Sequence, residues 1–160
     1  KEGKHAMAKV RGDYPYAETL TEIREAQLAS SKPNIDELIF LRAAKFVGEN
    51  ACVRKVEIAL ANDDLNAVGA YLNQSHESSR VNFKNSIEEL DTLVELLKLQ
   101  PSVYGARLTG GGFGGAVMAL TDTNFGQSQA DAITLAFEAE YGIQPSIFHT
   151  RAGDGAKLLR

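Results

Sequence analysis

Tyr104-Gly105-Ala106-Arg107-Leu108-Thr109-Gly110-Gly111-Gly112-Phe113-Gly114-Gly115-Ala116-Val117-Met118-Ala119-Leu120 holds the change of period on which the fold turns. Tyr104, Ala106 and Leu108 alternate with Gly105, Arg107 and Thr109, as in a strand with two unlike faces. Ala116 to Leu120 is a short apolar run that reads as a second strand. Between them glycine fills five of the six positions 110–115. Such a stretch permits positive φ and lets the backbone approach another group closely. That group could be a phosphate held by consecutive N–H groups in a nest, or another protein loop. The simplest topology is a hairpin.

Gly110, Gly112 and Gly115 match a dinucleotide-binding spacing, but that motif needs a strand before it and a helix after it. Here a strand-like run follows, so the match is rejected. No Lys-Ser or Lys-Thr follows the glycines either, which excludes a Walker A loop.

Upstream of the hairpin the apolar period is helical. Asn34 with Glu37 reads as a capping box. Beyond it Leu38, Leu41, Val53, Val56 and Leu60 recur at helical spacing. Asp63 or Asp64 can cap the next helix, whose Leu65, Val68 and Leu72 share a face. Ser86 and Glu89 form a further capping pattern ahead of Ile87, Leu90, Val94 and Leu97, and Pro101 stops that helix. Downstream, Ile133, Phe137 and Tyr141 mark a last helix ended by Gly142. Ile147-Phe148-His149 reads as a final strand, and Gly153-Asp154-Gly155 as a closing turn. Residues 1–33 read as a strand and a first helix bent at Tyr14-Pro15. Together these give an α+β fold, one antiparallel sheet with helices packed on a face.

The chain has 160 residues, 44% hydrophobic and 24% charged, enough apolar side chains for a single core. Its net charge of -4 argues against a nucleic-acid surface, which needs a cationic face. No stretch reaches the ~18 apolar residues of a membrane span, and no signal-peptide pattern opens the chain, so no membrane partner is expected. The start at Lys1-Glu2-Gly3-Lys4-His5 suggests an excised or processed fragment, a pattern that a trimmed tag would share. The single cysteine, Cys52, reads as a small core residue in a reducing compartment. His5, His76 and His149 lack metal-ligand spacing, and no metal site is expected.

The segment from Tyr104 to Gly115 closely resembles the third signature motif of galactokinases, within the GHMP kinase family. Leu41-Arg42-Ala43-Ala44 and Gly48-Glu49-Asn50 resemble that family's central helix. Ser75-His76-Glu77-Ser78-Ser79-Arg80 is similar to its Ser-His helix, and Glu89-Leu90-Asp91-Thr92-Leu93-Val94 to its Glu-Leu-Asp segment. Lys4-His5, Tyr14-Pro15 and Asp154-Gly155-Ala156-Lys157 resemble its entry and exit stretches. The resemblance implies a GHMP kinase C-terminal domain over residues 1–160, with a ferredoxin-like sheet. It also implies a cytoplasmic sugar kinase using ATP and Mg2+, whose partners are its own N-terminal domain and a small sugar.

In that family the first domain carries the main phosphate loop, the magnesium ligand and the candidate catalytic aspartate. None of those motifs occurs here, so no catalytic residue is expected in this chain, and the fragment alone is expected to be inactive. Gly110, Gly111, Gly112, Phe113, Gly114 and Gly115 would support the phosphate loop, with Arg107 either beside the cleft or paired to a carboxylate. A side chain added at Gly111 or Gly112 is expected to damage activity more than stability. Tyr14 would contact the sugar, the alternative being a turn tyrosine packed on the sheet. Family members follow this tyrosine with two arginines, whereas Tyr16-Ala17-Glu18-Thr19 offers none, which bears on sugar preference. His76 reads as a core or domain-interface histidine, and Glu88, Glu89 and Asp91 as helix-start charges. The alternatives are a non-enzymatic sugar and nucleotide sensor, or a kinase for another sugar.

Overall fold

A computed structural model describes residues 37–153 together with 155 and 158. The strand, bend and helix expected over residues 1–33, Tyr14, and the Asn34 cap all lie outside these residues.

The described chain begins with a 25-residue helix, α1 (Glu37–Ala61), followed by α2 (Leu65–Ser78). A π-helical turn (Ser79–Phe83) continues α2 and ends at Lys84, whose φ of 59° is left-handed. Next come α3 (Glu88–Lys98), β1 (Val103–Thr109), β2 (Ala116–Thr121) and α4 (Gln127–Tyr141). The strands pair antiparallel, from Val103 opposite Thr121 to Thr109 opposite Ala116. The expected hairpin is present.

Local chemistry sets the helix ends. Asp64 is the residue that caps α2, its Oδ1 accepting from Ala67 N–H at 2.9 Å. Ser86 does not cap α3. Ile87 holds that position without a side-chain bond, and the Ser86 hydroxyl donates instead to Asp91 Oδ1. Gly142 ends α4 with a φ of 67°, where its missing Cβ removes the strain of a left-handed residue.

The core forms where α2, α3 and α4 meet the hairpin: Val68, Leu90, Val94, Ala106, Leu108, Ile133 and Phe137 are all buried. Burying each large aliphatic side chain there contributes about 1.5–3 kcal/mol. The expected stripes of α2, α3 and α4 contribute to it.

The stripe expected on α1 does not. Val53 is 66% exposed and Leu60 52%, while Phe40, Ala43, Ala44, Cys52 and Ala59 are buried. The small side chains win because they let α1 lie close to α2 and the π turn. Ile147-Phe148-His149 is also not a strand: residues 143–150 form neither helix nor strand. A strand needs a ladder partner, and none of these backbone groups bonds to β1 or β2.

α2 covers the outer edge of β1. The N–H of Ala106 donates to Asn73 Oδ1 at 2.9 Å, and that of Leu108 to His76 Nδ1 at 3.3 Å. Glycines make this approach possible. A Cβ built on Gly69 would lie 2.0 Å from Tyr104 O, and one on Gly105 would lie 2.1 Å from Gly69 O.

Candidate functional site: the glycine hairpin and its clamp

The loop 110–115 turns through a run of left-handed residues. Gly110, Gly112, Phe113 and Gly114 have φ of 72°, 80°, 56° and 99°. Glycine adopts such angles freely, whereas Phe113 does so at a steric cost. All six residues but Gly112 are exposed, and the Phe113 ring, 72% exposed, stands out at the tip.

The loop is held at its root by Asn85, a residue that the sequence does not single out. Asn85 follows the π turn and the left-handed Lys84. Its backbone carbonyl accepts the Phe113 N–H at 2.8 Å, and its Nδ2 donates to Gly111 O at 3.0 Å. Gly112 lies against it so closely that a Cβ there would come within 2.1 Å of Asn85 O. Gly111 has open space around its missing Cβ. The two glycines, grouped together from sequence, therefore differ: Gly112 is part of a packed contact and Gly111 is not.

A second polar cluster ties α1 to α2 and β1 beneath the clamp. Lys45 Nζ donates to Glu49 Oε1 at 2.9 Å, to Ser79 Oγ at 2.7 Å and to Ser75 O at 3.1 Å. Ser75 Oγ donates to the same Glu49 oxygen at 2.6 Å. Arg107 reaches Glu49 Oε2 at 3.4 Å and donates through Nε to Leu108 O at 2.9 Å. Arg107 thus pairs with a carboxylate, one of the two roles open to it. Burial pushes the Lys45 ammonium below its usual range, against the pull of Glu49. Burial pushes Glu49 upward, but the hydrogen bonds from Ser75 and Lys45 outweigh it and hold the carboxyl below its usual range. Ser79 O in turn accepts the Asn85 N–H at 3.3 Å, so the cluster and the clamp share a residue.

His76 is a core residue, 5% exposed. Nδ1 accepts the Leu108 N–H, so the proton of the neutral ring sits on Nε2, 3.2 Å from Asp91 Oδ1. Burial lowers its pKa, against the opposing charge of Asp91. Below the unfolded value of about 6.5 the unfolded chain takes up the proton first. Stability from this group is therefore present above that pH and lost as pH falls through the lowered folded value. Urea midpoints measured from about pH 7.5 down to about pH 5 should fall more steeply in the wild type than in His76→Gln. Parallel curves would remove His76 as the cause.

Cys52 is buried, and burial raises its thiol pKa, which keeps it protonated and unreactive. Glu88, Glu89 and Asp91 occupy the first turn of α3, as expected of helix-start charges. Among the described residues no group of three or more His, Cys, Asp or Glu could hold a metal ion, and no helix is long and apolar enough to cross a membrane.

Comparison with known proteins matches residues 56–143 to the family described as "GHMP kinases C terminal". The chain is 39% identical over 122 residues to the galactokinase of Exiguobacterium sibiricum, covering 76% of this chain and 31% of that protein. It is 34% identical over 142 residues to the galactokinase of Homo sapiens, covering 89% of this chain and 35% of that one. Among solved structures, Lactococcus lactis galactokinase complexed with galactose superposes with a TM-score of 0.75 at 30% identity, covering 89% of this chain and 37% of its own. The chain spans about a third of the length of the curated relatives it matches. The family match covers more than half of the chain and includes α2, α3, the glycine hairpin and α4, so this α+β chain belongs to the GHMP kinases, in their C-terminal family.

Proposed function

We propose that this chain is the C-terminal part of a galactokinase-like sugar kinase, which transfers the γ-phosphate of ATP to the anomeric hydroxyl of galactose or a close relative. The observation that carries the reading is an exposed glycine loop held at its root, in a chain similar to galactokinases over most of its length. Phosphoryl transfer depends mainly on positioning and electrostatics, so a firm buttress beside a phosphate loop would raise rate without touching the ligand.

In this reading Gly110 to Gly115, with Phe113 at the tip, pack against a phosphate loop contributed by an N-terminal domain outside this chain. Arg107, paired with Glu49, steadies the strand that leads into them. Tyr14 meets the sugar, using a phenol's apolar face and single hydroxyl. ATP and Mg2+ are held mainly by the N-terminal domain, as the likeness to galactokinases implies. The protein works in the cytoplasm.

The test is an ADP-release assay on the full-length protein with a panel of hexoses. Turnover with galactose, and none with residues 1–160 alone, is the expected result. Sugar and nucleotide binding without turnover would replace the kinase by a sensor, and a preference for another hexose would change the substrate.

A further inference from the structure

We infer that Asn85 is the positioning residue that sets the backbone of the glycine loop. The inference rests on the kinase reading for its effect on turnover, though not for its geometry.

Two tethers run from this one residue to adjacent points of the loop. The side-chain Nδ2 binds Gly111 O and the main-chain O binds Phe113 N, so Gly112 is gripped between them. The space left by Gly112 is filled by Asn85 itself. No other described side chain donates a hydrogen bond to residues 110–115.

The carboxamide is also fixed in its orientation. Turning it over would set Oδ1 against Gly111 O, two acceptors facing each other. With Nδ2 on the loop, Oδ1 is left buried and without a hydrogen-bond partner, in a residue only 7% exposed. An open buried acceptor is destabilising, and a residue chosen for fold stability alone would avoid it. The asparagine therefore holds the loop at some cost to the fold. Its own position is fixed from behind: the left-handed Lys84 turns the chain out of the π-helical turn, and Ser79 O takes the Asn85 N–H. Such turns often occur at functional sites.

Asn85→Leu separates the two roles, because leucine has a similar size but neither the Nδ2 donor nor the orphaned oxygen. In the full-length protein this variant should keep the wild-type melting temperature or exceed it. Amide hydrogen exchange over residues 109–118 should speed up about tenfold. kcat should fall about tenfold or more, with KM for galactose unchanged. Should leucine prevent folding, Asn85→Ser provides the same measurements with no added bulk. Loop exchange equal to wild type, or a loss of kcat that merely follows a loss of folded protein, would overturn the inference. If the wild type turns over no sugar, the kinase reading fails, and loop exchange alone decides the role of Asn85.

Discussion

Replacing Gly105 with alanine is expected to destabilise the protein by about 3 kcal/mol, the upper end of the range for overpacking. The added Cβ would lie 2.1 Å from the main-chain oxygen of Gly69, and backbone cannot step aside as the end of a flexible side chain can. Gly69→Ala meets Tyr104 O at 2.0 Å and should behave alike. Either change would lever α2 off β1 and break the bonds from Ala106 and Leu108 to Asn73 and His76. The control is Gly48→Ala, in the middle of α1 with nothing within 4 Å of its missing Cβ. It should raise stability by roughly 0.5–1 kcal/mol, the helix penalty of glycine. Urea midpoints at constant slope would measure all three. Equal small effects at the three positions would mean that the helix and strand are not in backbone contact.

The second large effect is expected at Gly112. In the full-length protein Gly112→Ala should lower kcat about a hundredfold, the scale of a displacement of about 1 Å at a catalytic support. The new methyl would strike Asn85 O, on a backbone whose φ of 80° already disfavours a side chain. Gly111→Ala, with open space around it, should stay within a few-fold of wild type. Comparable losses at the two positions would show that the outer surface of the loop matters more than its grip on Asn85.

The contrast shows where sequence and structure part. Period and punctuation were enough for the hairpin, for α2, α3 and α4, and for the role of Gly142, because each depends on neighbours in the chain. The buried character of His76 was legible from its place four residues after Leu72 on an apolar stripe. α1 misled because its apolar residues run all round the helix, and the side that packs is set by how closely α2 can approach, a tertiary matter. The Ile147–His149 segment has strand composition but no ladder partner among the described residues, and composition cannot supply one. Asn85 was illegible for a different reason. A single asparagine in the run Lys84-Asn85-Ser86 has the look of an ordinary loop residue, and its partners Gly111 and Phe113 lie 26 and 28 positions away. Lys45, Glu49, Ser75 and Ser79 form their cluster across a similar gap.

The cover that α2 lays over β1 also gives the sheet a direction. An open strand edge is a template on which any extended chain can add itself. On this side the template is already used: Asn73 and His76 occupy the outward N–H groups of Ala106 and Leu108, and Gly69 presses on Tyr104 O. Any further strand, whether from this polypeptide or from another molecule, has to dock alongside β2.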